Sequence, residues 1–458
     1  MDLAQRTTRR LLVVVAAVVV VTVAGLIVLW PSADELPAVP DAPEALLDGT
    51  IGSVELYETE PDEIAGLSGE AARIEVELTS GPDAGETVLI DTPTDGYPTF
   101  RVGDRVKLSS SELSPGVEEF YIVDFQRTPA LMLLAALFIG LVLVVGRWHG
   151  ARSLLGLGLS LLIVTQFIVP GILSGQRPAL IALFGALAVM LVTLYLAHGV
   201  NEMTTVAVIG TAAALAVTIG FGMLFIERAK LTGFSSEEAN LARFAVEGLD
   251  LQGLVLAGLI IAALGVLDDV TVSQASTVFA LHDADPRQPF GQLFGRAMKV
   301  GRDHIASTVN TLFLAYAGAS LALLVVFSTG GLAVGEVVNA EILAEEIVKT
   351  LVGSLGLVSA VPFTTALAAT VAVRRPLGAP PLAGAHLHRH GGHGPGEAAS
   401  AHPAGPSTPR PDAASPDDPD LSDEDRAHRS WINYLREGSQ GGDVPPAPER
   451  DQDPQDDR

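Results

Sequence analysis

Residues 251–277, LQGLVLAGLIIAALGVLDDVTVSQAST, decide the fold class. Their first ~17 residues are apolar, and at ~1.5 Å per helical residue they nearly cover a hydrocarbon core of ~30 Å. The run then meets Asp268 and Asp269, after which Ser273 and Ser276 follow Asp269 on one helical face. A second stripe, RDHIASTVNT at residues 302–311, sets Asp303, Ser307 and Asn310 on one face just before another apolar run. Joined by a short connection, the two stripes read as facing walls of one hydrated site within a membrane.

Outward from these stripes, similar apolar runs recur. They predict an α-helical polytopic membrane protein of about eight transmembrane helices. The candidate spans are Leu11–Trp30, Ala130–Gly146, Ser153–Leu173, Ala179–His198, Thr204–Ile226, Leu251–Leu267, Thr311–Thr329 and Leu351–Val373. Arg6, Arg9, Arg10, Arg147, Arg152, Arg287, Arg296, Lys299, Arg302, Arg374 and Arg375 flank the spans on one side of this arrangement. Because positive flanks stay in the cytoplasm, both termini are expected there, in a bacterial plasma membrane, with residues 31–129 outside. The first apolar run is longer than a signal peptide's, so residues 1–30 read as a cytoplasmic N-terminus and an uncleaved anchor.

Residues 31–129 read as a small β domain. Arg73–Thr79, Thr87–Asp91, Arg105–Ser109 and Phe120–Phe125 alternate apolar and polar residues between turn signals, predicting a closed barrel of the oligonucleotide/oligosaccharide-binding type. Residues 130–375 then form a seven-helix membrane domain. In its outer connection, Ser235 with Glu238 reads as a capping box ahead of an amphipathic face of Leu241, Phe244 and Ala245, with Gly248 as the stop. Residues 376–458 are rich in Pro, Gly, Ala, Asp and His and predict a disordered cytoplasmic tail. Residues 423–437 within it, carrying Trp431, Ile432 and Leu435, could form a short helix that docks a protein partner, although such islands are more often inert.

The net charge of −25 argues against nucleic acid, and the absence of cysteine excludes disulfides and thiolate chemistry. No phosphate-binding loop, nucleophile elbow or zinc-protease motif is present, so no enzyme activity and no cofactor are expected. Asp269 and Asp303, with Ser273, Ser276, Ser307, Thr308 and Asn310, offer oxygen and amide groups suited to a proton or a hard cation. Asp268 and His304 add titratable neighbours, while Arg302 competes with Asp269 as the partner of Asp303. An aspartyl intramembrane protease is disfavoured because no Gly-x-Gly-Asp sequence precedes either acid. His198, Asn201 and Glu202 read as a cap and turn. Gln166, Pro170 and Gly171, and Pro362 with Thr364 and Thr365, mark candidate helix breaks. Gly156 with Ser160 and Gly318 with Ala322 read as helix-packing contacts. His386, His388, His390, His393 and His402 form a tract that can bind a transition metal, although low-complexity sequence is the favoured explanation.

The stripes also carry a resemblance. GVLDDV at residues 265–270 with Ser273 and Ser276, GRDH at residues 301–304, STVNTL at residues 307–312 and LAYAG at residues 314–318 resemble the YibE/F-like family of bacterial multi-pass membrane proteins. The resemblance spans about residues 50–373. It implies an integral-membrane permease or secondary transporter, with the single acid of the first stripe falling on Asp269 and an acid at Glu202 where a basic residue is common. The other class left open is a non-enzymatic scaffold or regulator acting through the outer domain and tail. The implied partners are the lipid bilayer, a small solute or ion, and proteins bound by those appendages.

Overall fold

Strict alternation along one strand shows how the β domain builds its core: Ile74, Val76 and Leu78 are buried while Arg73, Glu75 and Glu77 face solvent. The protein is described here from a computed structural model over residues 3–32, 46–58, 70–94, 99–114, 117–331 and 333–376. The tail from residue 377 onward, with its His tract and the segment around Trp431, lies outside the described residues, as does much of the linker before the first strand.

The sheet contains β1 (Leu47–Glu58), β2 (Glu70–Leu78), β3 (Thr87–Pro93), β4 (Arg105–Ser114) and β5 (Val117–Phe125). Its order is β3-β2-β1-β4-β5, with every pair antiparallel. The alternation predicts β2 to β5, but it locates neither β1 nor the closure of the sheet. Hydrogen bonding leaves β3 and β5 as edges, so the domain is an open sheet and not the expected closed barrel. Ile51, Ile90, Val106 and Leu108 complete its core, against Phe100 and Phe125, whose rings stand 5.3 Å apart. The turns at Gly81, Gly85 and Gly103 all take positive φ, the conformation that favours glycine.

The helices are α1 (Leu3–Val28), α2 (Thr128–Ile163), a π turn (Val164–Ile168), α3 (Val169–Leu173), α4 (Pro178–His198), α5 (Glu202–Arg228), α6 (Glu237–Ala245), α7 (Leu251–Ala284), α8 (Phe290–Ala319), α9 (Leu321–Thr329), α10 (Val334–Asn339) and α11 (Glu341–Ala372). Among the described residues six helical stretches are long and apolar enough to cross a membrane, or seven if α8 and α9, bent by 60° at their junction, form one broken span. That corrects the expected eight. Two of the predicted spans belong to one 46-residue stretch, Thr128–Leu173, in which Arg147 (φ 49, ψ −128) leaves helical geometry. The chain bends sharply there and brings Gly150 against the Val142 carbonyl, where a Cβ would collide. A straight helix would hold these residues ~12 Å apart.

Helices α5, α7 and α11 pack together at the centre, where Leu215, Leu259, Ile260, Leu357 and Val361 are almost fully buried. α4 and α8 flank them. Gly222 and Gly356 permit this close packing, since a Cβ at either would overlap a side chain of the neighbouring helix. Much of α2, by contrast, exposes Leu, Val and Phe along its length, the surface that lipid covers in a membrane protein. At Gln166, Pro170 and Gly171 the helix does not break but runs on through the π turn, where Phe167 is buried with its ring 5.8 Å from that of Trp30. No break occurs at Pro362, which lies within the continuous α11.

Candidate functional site

The polar residues of α7 divide between two sides of the helix. Gln274 points inward, and its amide donates to the Ala297 carbonyl at 3.1 Å and to Thr365 Oγ1 at 2.7 Å. One side chain thereby ties α7 to α8 and α11. At ~100° per residue, Thr271 and Asp268 follow on the flank that faces α5, whereas Asp269 and Ser276 fall on the opposite side. Burial agrees: Thr271 and Gln274 are buried, Asp268 and Ser276 are intermediate, and Asp269 and Ser273 are exposed.

On the α5 side, Thr211 Oγ1 and Thr271 Oγ1 are 2.6 Å apart, and Thr271 also donates to the Asp268 carbonyl at 3.1 Å. The Asp268 carboxyl lies beside the hydroxyls of Thr211 on α5 and Thr193 on α4. Its Oδ1 is buried without a hydrogen-bond partner. A second buried hydroxyl without a partner, Thr364 Oγ1, sits where a Cβ of Gly210 would go. Four helices therefore contribute hydroxyls to one polar seam within an apolar core. Asp268 lies in the middle of α7, ~22 Å along the helix from Asp283 and beside a threonine ~13 Å into α5 from Glu202. This is deeper than the end of an apolar run implies.

On α8 the orientation is fixed by Gly301. A Cβ there would meet Val361 at 2.5 Å and Gln274 at 3.0 Å, so only glycine lets this face approach α7 and α11. Asp303 is ~200° around the helix from Gly301, and Asn310 is ~180° away. Both are exposed, as are Arg302 and Ser307, while Thr308 and His304 are intermediate. Asp303 forms an ion pair with neither Arg302 nor any other group among the described residues, and no hydrogen bond there joins it to Asp269. The structure thus gathers Asp268, Thr271 and Gln274 into the interior and leaves the Asp269 and Asp303 faces outward. Asp269 instead lies within electrostatic reach of His198, which also senses His149.

Charged groups mark the two ends of the bundle. At one, Arg375 reaches Glu202 at 3.3 Å and Asp283 at 3.4 Å, joining the end of α11 to α5 and α7. Asn201 caps α5 by accepting from the Thr204 amide at 2.9 Å, as its position predicts. At the other end Glu341 accepts from Thr232 and Gly233, and Ser235 donates to Glu345 at 2.5 Å. With Ser235 so engaged, the cap of α6 moves one residue on, to Ser236, which accepts from the Ala239 amide at 3.1 Å. Lys349 pairs with Glu345 at 2.8 Å and Glu346 at 3.0 Å.

Sequence reasoning missed the seam's α5 wall. The signal was available: Thr204, Thr211 and Thr218 recur every seven residues and are all buried. No group of His, Asp and Glu able to hold a metal ion occurs among the described residues.

A multi-pass helical membrane protein with a polar seam through its central helices is the class that this geometry defines. Residues 134–374, more than half of the chain, match the family profile described as YibE/F-like protein, and the chain belongs to that family. No curated protein and no solved structure matches it.

Proposed function

We propose that the membrane domain is a permease of the secondary-transporter type, non-enzymatic, and coupled to a proton at Asp268. The observation that carries this reading is the buried Oδ1 of Asp268, unpartnered amid the hydroxyls of α4, α5 and α7. Ionisable groups at such depth are costly, and they mark ion and substrate paths in membrane proteins. The Thr211–Thr271 pair adds a mechanism. Each hydroxyl has one proton, so Thr271 either donates to the Asp268 carbonyl, with Thr211 donating to Thr271, or donates to Thr211 and frees Thr211 to donate to an ionised Asp268. Loss or gain of the carboxyl proton would reverse this chain and alter the contact between α5 and α7. Asp269 and Asp303, on outer faces, serve in this reading as secondary polar sites and not as the coupling pair.

Orientation follows from charge. Leu11 packs in one cluster with Val206, Val371 and Ala372, which supports α1 entering at the end where α11 leaves. Arg9, Arg10, Arg374 and Arg375 gather there, and we infer that this end is cytoplasmic, in a bacterial plasma membrane.

The test is reconstitution in proteoliposomes with an internal pH dye and a screen of small solutes. A solute gradient should drive proton movement in the wild type and none in Asp268→Asn, while Asp303→Asn retains it. Equal coupling in Asp268→Asn would refute the assignment. The second reading, a scaffold or regulator, is favoured by the outward Asp303, Ser307 and Asn310, which a partner could cover. It requires no flux in any variant.

A further inference from the structure

Near the charged outer end lies a cavity of ~680 Å³ between the π turn, α3, α6, α7 and α11. This is the size of a small-molecule site. Its wall is mostly aliphatic, from Ile168, Ile172, Leu254 and Ile261. Along α7 the floor is kept open by Gly258 and Ala262, both exposed, with nothing within 4 Å of a Cβ built on Gly258. Helix α6 forms the roof. It turns Ala239 and Ala242 toward the cavity and leaves Leu241 and Phe244 exposed on its other side. Small residues inward and large apolar residues outward make a cover that can lie against lipid.

The polar part of the wall carries an excess of negative charge. Lys349 is its cation, and that charge is shared by Glu345 and Glu346. Glu345 also accepts from Ser235. Glu238 borders the same space and forms no ion pair among the described residues. An anionic ligand would meet carboxylates with the lysine already engaged, and a neutral one would leave Glu238 unused.

We propose that this cavity binds a lipophilic monovalent cation, its apolar body against Ile168, Ile172 and Ile261 and its charge beside Glu238. The proposal deepens the permease reading by naming a substrate class, yet binding does not depend on coupling at Asp268. The site stands at the outer end of the exposed α7 face that continues through Gly265 to Asp269, so a bound cation would have an acid further along its way.

The experiment is equilibrium dialysis of the full chain in phosphatidylcholine nanodiscs with two bulky ions of matched shape and opposite charge, tetraphenylphosphonium and tetraphenylborate. The phosphonium should bind saturably and the borate should not. Glu238→Gln should weaken phosphonium binding about fivefold, as expected for a partly exposed charge contact, and Ala242→Phe should abolish it by filling the space. Saturable binding without coupled flux would sink the permease reading and keep the site. Borate binding as tight as phosphonium binding, no saturable binding of either ion, or no response to Glu238→Gln in a folded variant would overturn the site.

Discussion

Helices α7 and α8 each carry a polar stripe, yet α7 divides its polar groups between the interior and the outside whereas α8 turns its stripe outward. On α7 the amide of Gln274 and the hydroxyl of Thr271 find partners on α8, α11 and α5. On α8 it is a glycine that faces the core, and Asp303, Ser307 and Asn310 rotate away with the helix. The difference teaches that closest approach, and not polarity, decides which face of a membrane helix is inside. Where lipid replaces water, a polar face has no default direction, and the smallest residue sets the rotation.

The largest effect should come from reversing that rule. Gly301→Leu pushes α8 off Val361 and Gln274 and should cost about 3 kcal/mol or more, read as a fall in the unfolding midpoint in detergent. Asp303→Ala on the same helix should leave the midpoint nearly unchanged; an equal loss would mean that the acid faces the core. Next is Gln274→Leu, which removes two interhelical hydrogen bonds and should cost about 1 to 2 kcal/mol. Third, Thr211→Val breaks the link to Thr271 and should cost about 1 kcal/mol, against no more than about 0.5 kcal/mol for Asn310→Ala on the outer stripe.

The smallest effect belongs to a water-facing reference for both stripes. Arg73 binds Asp91 across β2 and β3 at 2.9 and 3.2 Å, and this hydrogen bonding holds the Asp91 carboxyl below its ordinary value. A carboxylate depressed in the folded state stabilises above its unfolded value of 3.8 and loses that contribution as pH falls through the folded value. Asp91→Asn should therefore lower the unfolding midpoint slightly at about pH 7 and not at all at about pH 2. A larger effect at low pH would reverse the sign and contradict the pairing.

Much of the fold was legible in the sequence. Strands β2 to β5 follow from two-residue alternation, and the spans from apolar length. The closure of the sheet was not, because alternation fixes which residues face the core and leaves open whether edge strands β3 and β5 meet. The span count failed at Arg147, where two helical segments join across a sharp bend in one apolar stretch, and at Ser320, where the chain breaks without proline. Asp269, Ser273 and Ser276 were rightly grouped on one face by spacing. Spacing alone could not show that Leu267, Val270, Ala275 and Val278 would win the interior. The family pattern favoured Asp269 over Asp268, whereas it is Asp268 whose Oδ1 is buried without a partner.

The contact between Trp30 and Phe167 has an optical consequence. Phe167 precedes Ile168, which lines the cavity, and the chain has three tryptophans. Replacing Trp148 and Trp431 with phenylalanine would leave Trp30 as the sole indole emitter, set against the π turn. Its emission wavelength and quenching would then report, without any added label, on whatever enters or leaves the space beside that turn.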